Sequence, residues 1–107
     1  MSVTEKEKID IIGIEEDKFV VLTITDHLDW SDTFYHLCAL EDKINTYLEF
    51  IEGGQIDEDY PDYKGKELVI EIVSIYPFNE DGLDFLKKVS VIIKKYNVEL
   101  KHTIYIE

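Results

Sequence analysis

Arginine does not occur in this chain of 107 residues; all 11 basic residues are lysine, set against 24 aspartates and glutamates for a formal net charge of -13. Without arginine there is no rigid fork for bidentate binding of phosphate or carboxylate. With so large an acidic excess there is no surface to neutralise a phosphate backbone, so nucleic acid is not an expected partner. Cysteine occurs once, at Cys38, which excludes an internal disulfide framework and fits a reducing cytoplasm. No apolar run approaches the roughly 18 residues that a membrane-spanning helix needs. The opening MSVTEKEK has no apolar stretch of the signal-peptide kind. The expected location is therefore cytoplasmic, with no membrane partner. A glycine-rich phosphate loop is missing as well: Gly53-Gly54 follows a helical pattern, whereas phosphate loops follow a strand and open a helix. No cofactor is expected.

What is present is unevenly distributed. Residues 1–18 carry six acids and three lysines, residues 19–63 carry eleven acids and only Lys43, and residues 64–107 carry seven of each. The acidity is concentrated in the middle of one domain, residues 1–107, whose length suffices for a single core.

The stretch KFVVLTITDHLDW, residues 18–30, organises the rest. From Phe19 to Thr25 the residues are almost all β-branched or aromatic, the types that pack on a pleated surface. Alternation places Val20, Leu22 and Ile24 on one face and Phe19, Val21, Thr23 and Thr25 on the other. Residues 9–14 read as a shorter strand, joined through a turn at 15–18 into an antiparallel hairpin, and the first eight residues as frayed.

After Trp30 a helix begins, capped by Ser31 or Asp32. Leu37, Leu40, Ile44, Tyr47, Leu48 and Ile51 form its apolar stripe, with Glu41, Asp42, Lys43, Asn45 and Glu49 opposite. Gly53-Gly54 ends it. Residues 55–65 read as a loop and residues 68–76 as a strand closed by Pro77. Asn79 caps a second helix with acids in its first turns and Lys94 and Lys95 at its end, complementing the macrodipole. Its buried stripe is expected at Phe85, Leu86, Val89, Ile92, Ile93 and Tyr96. Residues 98–106 form the last strand. Right-handed crossovers then put both helices on one face of a sheet whose strands follow sequence order. The expected fold is α+β, a two-layer α/β sandwich: ββαβαβ, a four-stranded mixed sheet with two helices packed on one face.

The segments KIDIIGI (8–14), LTITDHLDW (22–30) and NTYLEFIEGGQI (45–56) resemble a small uncharacterised bacterial family, a domain of unknown function. The resemblance spans nearly the whole chain. It implies a small bacterial protein of this α/β type and no particular activity.

Two clusters carry the functional candidates. Asp26, His27 and Asp29, with His36 on the following helix, are carboxylates and imidazoles near a strand end that could bind a divalent metal or work as acid and base. The plainer reading makes them a joint, with Asp29 capping the helix and Trp30 stapling it to the core. The second cluster is the acidic, aromatic segment after the first helix: Glu49, Glu52, Asp57, Glu58, Asp59, Tyr60 and Asp62. As a calcium loop it fails, because Asp62 stands where the sharp turn needs glycine. As an interaction patch it offers tyrosine contact area and acids that steer a basic partner. Cys38 is expected to pack beside Leu37, with His36 pointing elsewhere on the helix, so a catalytic thiolate is not expected. His102 shares strand parity with Leu100 and Ile104 and reads as a hydrogen-bonded, partly buried histidine.

The expected function is a small acidic protein that acts through protein–protein contact without catalysis, in the manner of an inhibitor or immunity protein facing a basic partner. Metal or small-ligand binding at Asp26, His27, Asp29 and His36 is the alternative. A homodimer pairing the open sheet face through Phe19, Val21, Val69 and Val73 is a third expectation.

Overall fold

The computed structural model describes residues 11–16, 18–63 and 65–105. The element order is β1 (Ile11–Glu15), β2 (Phe19–Asp26), α1 (Thr33–Glu52), α2 (Gln55–Asp59), a 3-10 turn (Pro61–Tyr63), β3 (Glu67–Ser74), α3 (Glu80–Lys94) and β4 (Val98–Ile104). The expected frayed start and residues 9, 10 and 106 lie outside the described residues. The four strands form one mixed sheet in sequence order. β1 and β2 are antiparallel, with Ile12 opposite Leu22. β2, β3 and β4 run parallel, with Asp26 beside Ser74 and Ile72 beside His102. Among the described residues, no helix is long and apolar enough to cross a membrane.

Both long helices cover the same face. Val20, Leu22 and Ile24 of β2, Ile70 and Ile72 of β3 and Val98 of β4 pack beneath Leu40, Ile44 and Tyr47 of α1 and Val89 and Ile93 of α3. Fully burying each such side chain contributes about 1.5–3 kcal/mol. The Tyr47 hydroxyl is carried into this layer because it donates to the Thr23 carbonyl at 2.6 Å, as buried polar tips must be partnered.

Helix ends follow the sequence closely. Asp32 is the N-cap of α1, its Oδ1 accepting from the Tyr35 N–H at 3.1 Å. Gly53 closes the helix through its N–H to the Glu49 carbonyl, and Gly54 takes φ 72°, a left-handed conformation that glycine adopts without steric cost. Asn79 caps α3 by accepting from the Gly82 N–H at 2.9 Å, and its amide donates to Thr33 Oγ1 at 3.1 Å, tying the two helix starts together.

Four expectations are corrected. Residues 55–65 are not a plain loop: α2 and the 3-10 turn occupy them because Ile56 is buried and Tyr60 and Tyr63 stack at 5.0 Å. The order is therefore ββααβαβ. The buried stripe of α1 runs through His36, Ala39, Leu40, Lys43, Ile44 and Tyr47. It is rotated so that Lys43, expected on the polar side, is buried, with its ammonium 5.7 Å from the Tyr47 ring centroid. Cys38 is exposed rather than packed. On α3, only Gly82, Val89 and Ile93 are buried, while Ile92 and Tyr96 remain largely exposed because the sheet carries just two long helices and the flank facing away from it is uncovered.

Candidate functional site

The carboxyl ends of β2, β3 and β4 and the amino ends of α1 and α3 meet along one edge, the position where open α/β sheets hold ligands. Three aspartates spaced by three residues make the joint there. Asp26 Oδ1 accepts from the Leu28 N–H at 3.1 Å. Asp29 Oδ1 accepts from the Ser31 N–H at 3.1 Å and the Ser31 hydroxyl at 2.7 Å. Asp32 then caps the helix. Each short side chain satisfies backbone that is changing direction, the use to which aspartate is suited.

Behind this joint, His36 Nε2 lies 2.6 Å from Asp26 Oδ2, with both side chains buried. His36 Nδ1 faces the Asp29 carbonyl at 3.1 Å. A carbonyl can only accept, so Nδ1 carries a proton. The short contact between Nε2 and Oδ2 then requires a second proton, shared between imidazole and carboxyl. Trp30 stacks on the imidazole with centroids 3.8 Å apart and planes 26° apart, and Phe78 packs edge-on against both rings. Gly82 of α3 is the surface against which the indole rests: a Cβ there would stand 2.6 Å from Trp30 Cη2.

On the next two strands, Ser74 Oγ lies 2.9 Å from His102 Nε2, and the His102 ring packs on Phe78 at 4.3 Å. That is the spacing of a nucleophile and its base. Ser74 is nevertheless buried, so its hydroxyl is withheld from solvent and the pair ties β3 to β4. Burial among these rings lowers the His102 pKa below 6.5, opposed by the nearby Asp26 carboxylate. Asp29, held by the Ser31 hydroxyl and N–H, has its pKa lowered from the usual 3.8.

Of the four candidate ligands, the structure joins only Asp26 and His36 through their side chains. His27 is exposed and lines a hollow of about 370 Å³ with Thr25, Val73, Ile75 and Tyr105, while the Asp29 carboxylate is occupied by Ser31. Among the described residues, no group of three or more His, Cys, Asp or Glu side chains could hold a metal ion. Ser74 was not a sequence candidate. Its position at the end of its strand, two residues after Ile72 on the helix-facing side, is the only local signal. His102 is partly buried and hydrogen-bonded as its parity implies.

The acidic candidates lie at the opposite end of the domain, where α1 finishes. Glu49, Glu52, Asp57, Glu58, Asp59 and Asp62 are exposed and Tyr60 is half-buried. Ile56 roots the segment in the core, and backbone bonds from Tyr60 to Ile56 and from Tyr63 to Tyr60 continue the helical path into the 3-10 turn. The acids are thus displayed on ordered backbone. Lys43, the only lysine of residues 19–63, is buried and adds no positive charge to this surface.

No curated protein and no solved structure matches this chain. Residues 1–106 match DUF6572, described as a family of unknown function, and the chain belongs to that family.

Proposed function

We propose that this chain is a non-catalytic protein–protein interaction module that presents Glu49, Glu52, Asp57, Glu58, Asp59, Tyr60 and Asp62 to a basic protein, as an inhibitor or immunity protein covers a basic enzyme site. The observation that carries this reading is the ordered display of one sign of charge. Six carboxylates are exposed along α1, α2 and the 3-10 turn, a segment rooted by Ile56, and Lys43, the only lysine of residues 19–63, is buried. Rigid presentation lowers the entropic cost of binding, and concentrated charge raises the rate of encounter with an oppositely charged surface. The stacked Tyr60 and Tyr63 rings add flat, rigid contact area of the type enriched at binding hot spots.

At the other edge, Asp26, Asp29, His36 and His102 are engaged with one another, with serine hydroxyls or with the backbone, which favours a structural role for them. The experiment that tests the proposal is a salt series on the complex with the captured partner. Affinity that falls with ionic strength, and that falls further when Asp57, Glu58, Asp59 and Asp62 are neutralised, supports it. Affinity indifferent to both overturns it.

A further inference from the structure

The outer surface of the helical layer is not covered by any other described residues. Ile44 and Leu48 of α1 and Phe85, Val89, Ile92 and Ile93 of α3 line a groove of about 330 Å³ between the two helices. Its apolar character continues outward, because Ile92 is 51% exposed and Val91 is 68% exposed. Phe85, Val89, Ile92 and Tyr96 recur at the spacing of one helical stripe, but the sheet covers only part of it. An apolar stripe wider than the core it serves marks a contact surface.

The walls of the groove are opposite in charge. Glu41 lines it from α1 and Lys88 from α3. Beyond them, Glu49 and Glu52 are exposed toward the end of α1, and Lys94 and Lys95 at the end of α3, whose first turns carry Glu80, Asp81 and Asp84. No ion pair among the described residues joins Glu41 to Lys88. Both helices start at the same edge of the sheet and run in the same direction, so Glu41 and Lys88, each the ninth residue of its helix, lie side by side at the same height.

We propose that this helical face is a self-association surface whose occupant is a second copy of the chain. A two-fold axis parallel to the helices lays α1 of each copy on α3 of the other, in an isologous contact. Glu41 of one copy then faces Lys88 of its partner, twice, and the half-exposed Ile92 side chains close over the groove between them. Four helices packed in this way resemble a bundle core sandwiched between two sheets. The face is self-complementary in a manner that the uncovered side of the sheet is not. There, Glu15, Glu67, Glu71 and Glu99 are opposed by Lys101 alone, so pairing two sheet faces through Phe19, Val21, Val69 and Val73 brings like charge together. The footprint, two helices wide and about four turns long, is roughly 20 by 22 Å. That is small beside a standard interface of about 800 Å² per partner, so the dimer is expected to be reversible and concentration-dependent.

The test is sedimentation equilibrium of the purified full chain from micromolar to millimolar concentration, beside Ile92→Glu, Lys88→Glu, Glu41→Lys and the Glu41→Lys/Lys88→Glu double variant, each checked for native circular dichroism. The expected result is a mass rising from one chain to two. Association should weaken roughly tenfold or more in Ile92→Glu and in each single charge reversal, and return in the double variant, where the walls have exchanged sign on both copies. A single-chain mass throughout overturns the proposal. So does a dimer that ignores these four variants yet is broken by Val21→Glu on the sheet face, or one that the double variant fails to restore.

Discussion

His36 and Asp26 are ten residues apart in sequence and 2.6 Å apart in space, buried at the point where β2 hands the chain to α1. The contact locks the first turn of the helix onto the end of the strand, and the Asp29 carbonyl holds the other ring nitrogen. Removing either partner strands a buried polar group. Asp26→Ala and His36→Ala are each expected to cost about 3–5 kcal/mol of stability in urea unfolding, the range for breaking a buried pair. The double variant should lose clearly less than the sum of the two. Additive losses would show that the two side chains do not act as a pair.

Gly82 is the counterpart of this joint on α3. In an open helical position, alanine would stabilise by about 0.5–1 kcal/mol relative to glycine. Here the added methyl would meet the Trp30 ring, itself held between His36 and Phe78, so it cannot give way cheaply. Gly82→Ala is expected to destabilise by about 1–3 kcal/mol, the cost of overpacking. It should also shift the fluorescence of Trp30, the chain's only tryptophan. A raised melting temperature with unchanged fluorescence would contradict the packing described.

His102 makes the edge sensitive to acid. Its pKa is lowered in the folded state by burial, against the pull of Asp26. Above about pH 6.5 both folded and unfolded states hold the neutral ring, and His102 contributes nothing to pH dependence. As the pH falls below that value, the unfolded chain takes up the proton first, so stability declines until the folded-state pKa is passed and then levels. Urea midpoints measured from pH 8 to pH 5 should fall for the native protein, and His102→Gln should flatten the part of that decline that belongs to this ring. An identical decline in the variant would assign it elsewhere.

Neutralising the acidic segment should leave the fold intact. Asp57, Glu58, Asp59 and Asp62 are exposed, so changing them to Asn or Gln removes mutual repulsion without opening the core. Stability is expected to stay within about 0.5 kcal/mol of the native value or to rise slightly, as for surface sites generally. A large loss in thermal unfolding would mean that these carboxylates hold α2 in place.

Much of this architecture is written in local pattern. Alternation in residues 19–25 placed Val20, Leu22 and Ile24 under the helices, and right-handed crossovers gave the sheet its sequence order. Asp32 and Asn79 are capping residues in type and in place. What local pattern hides is polar residues used as core. His36 and Lys43 lie on the buried stripe of α1, so reading only its apolar letters rotates the helix and puts Lys43 in solvent. The short α2 was invisible for a related reason: Ile56 is one apolar anchor in an acidic run, too few turns for a period to register. The Ser74–His102 contact joins residues 28 positions apart, and only strand pairing brings them together.

The most direct measurement of the central claim is capture from lysate of the source cell, using the native protein as bait beside the variant with Asp57, Glu58, Asp59 and Asp62 changed to Asn or Gln, each at low and at high salt. The account predicts a basic protein held by the native bait at low salt, released by salt, and absent from the variant. A protein held equally by both baits at either salt, or no protein held by either, would contradict the assignment of the acidic segment as the binding surface.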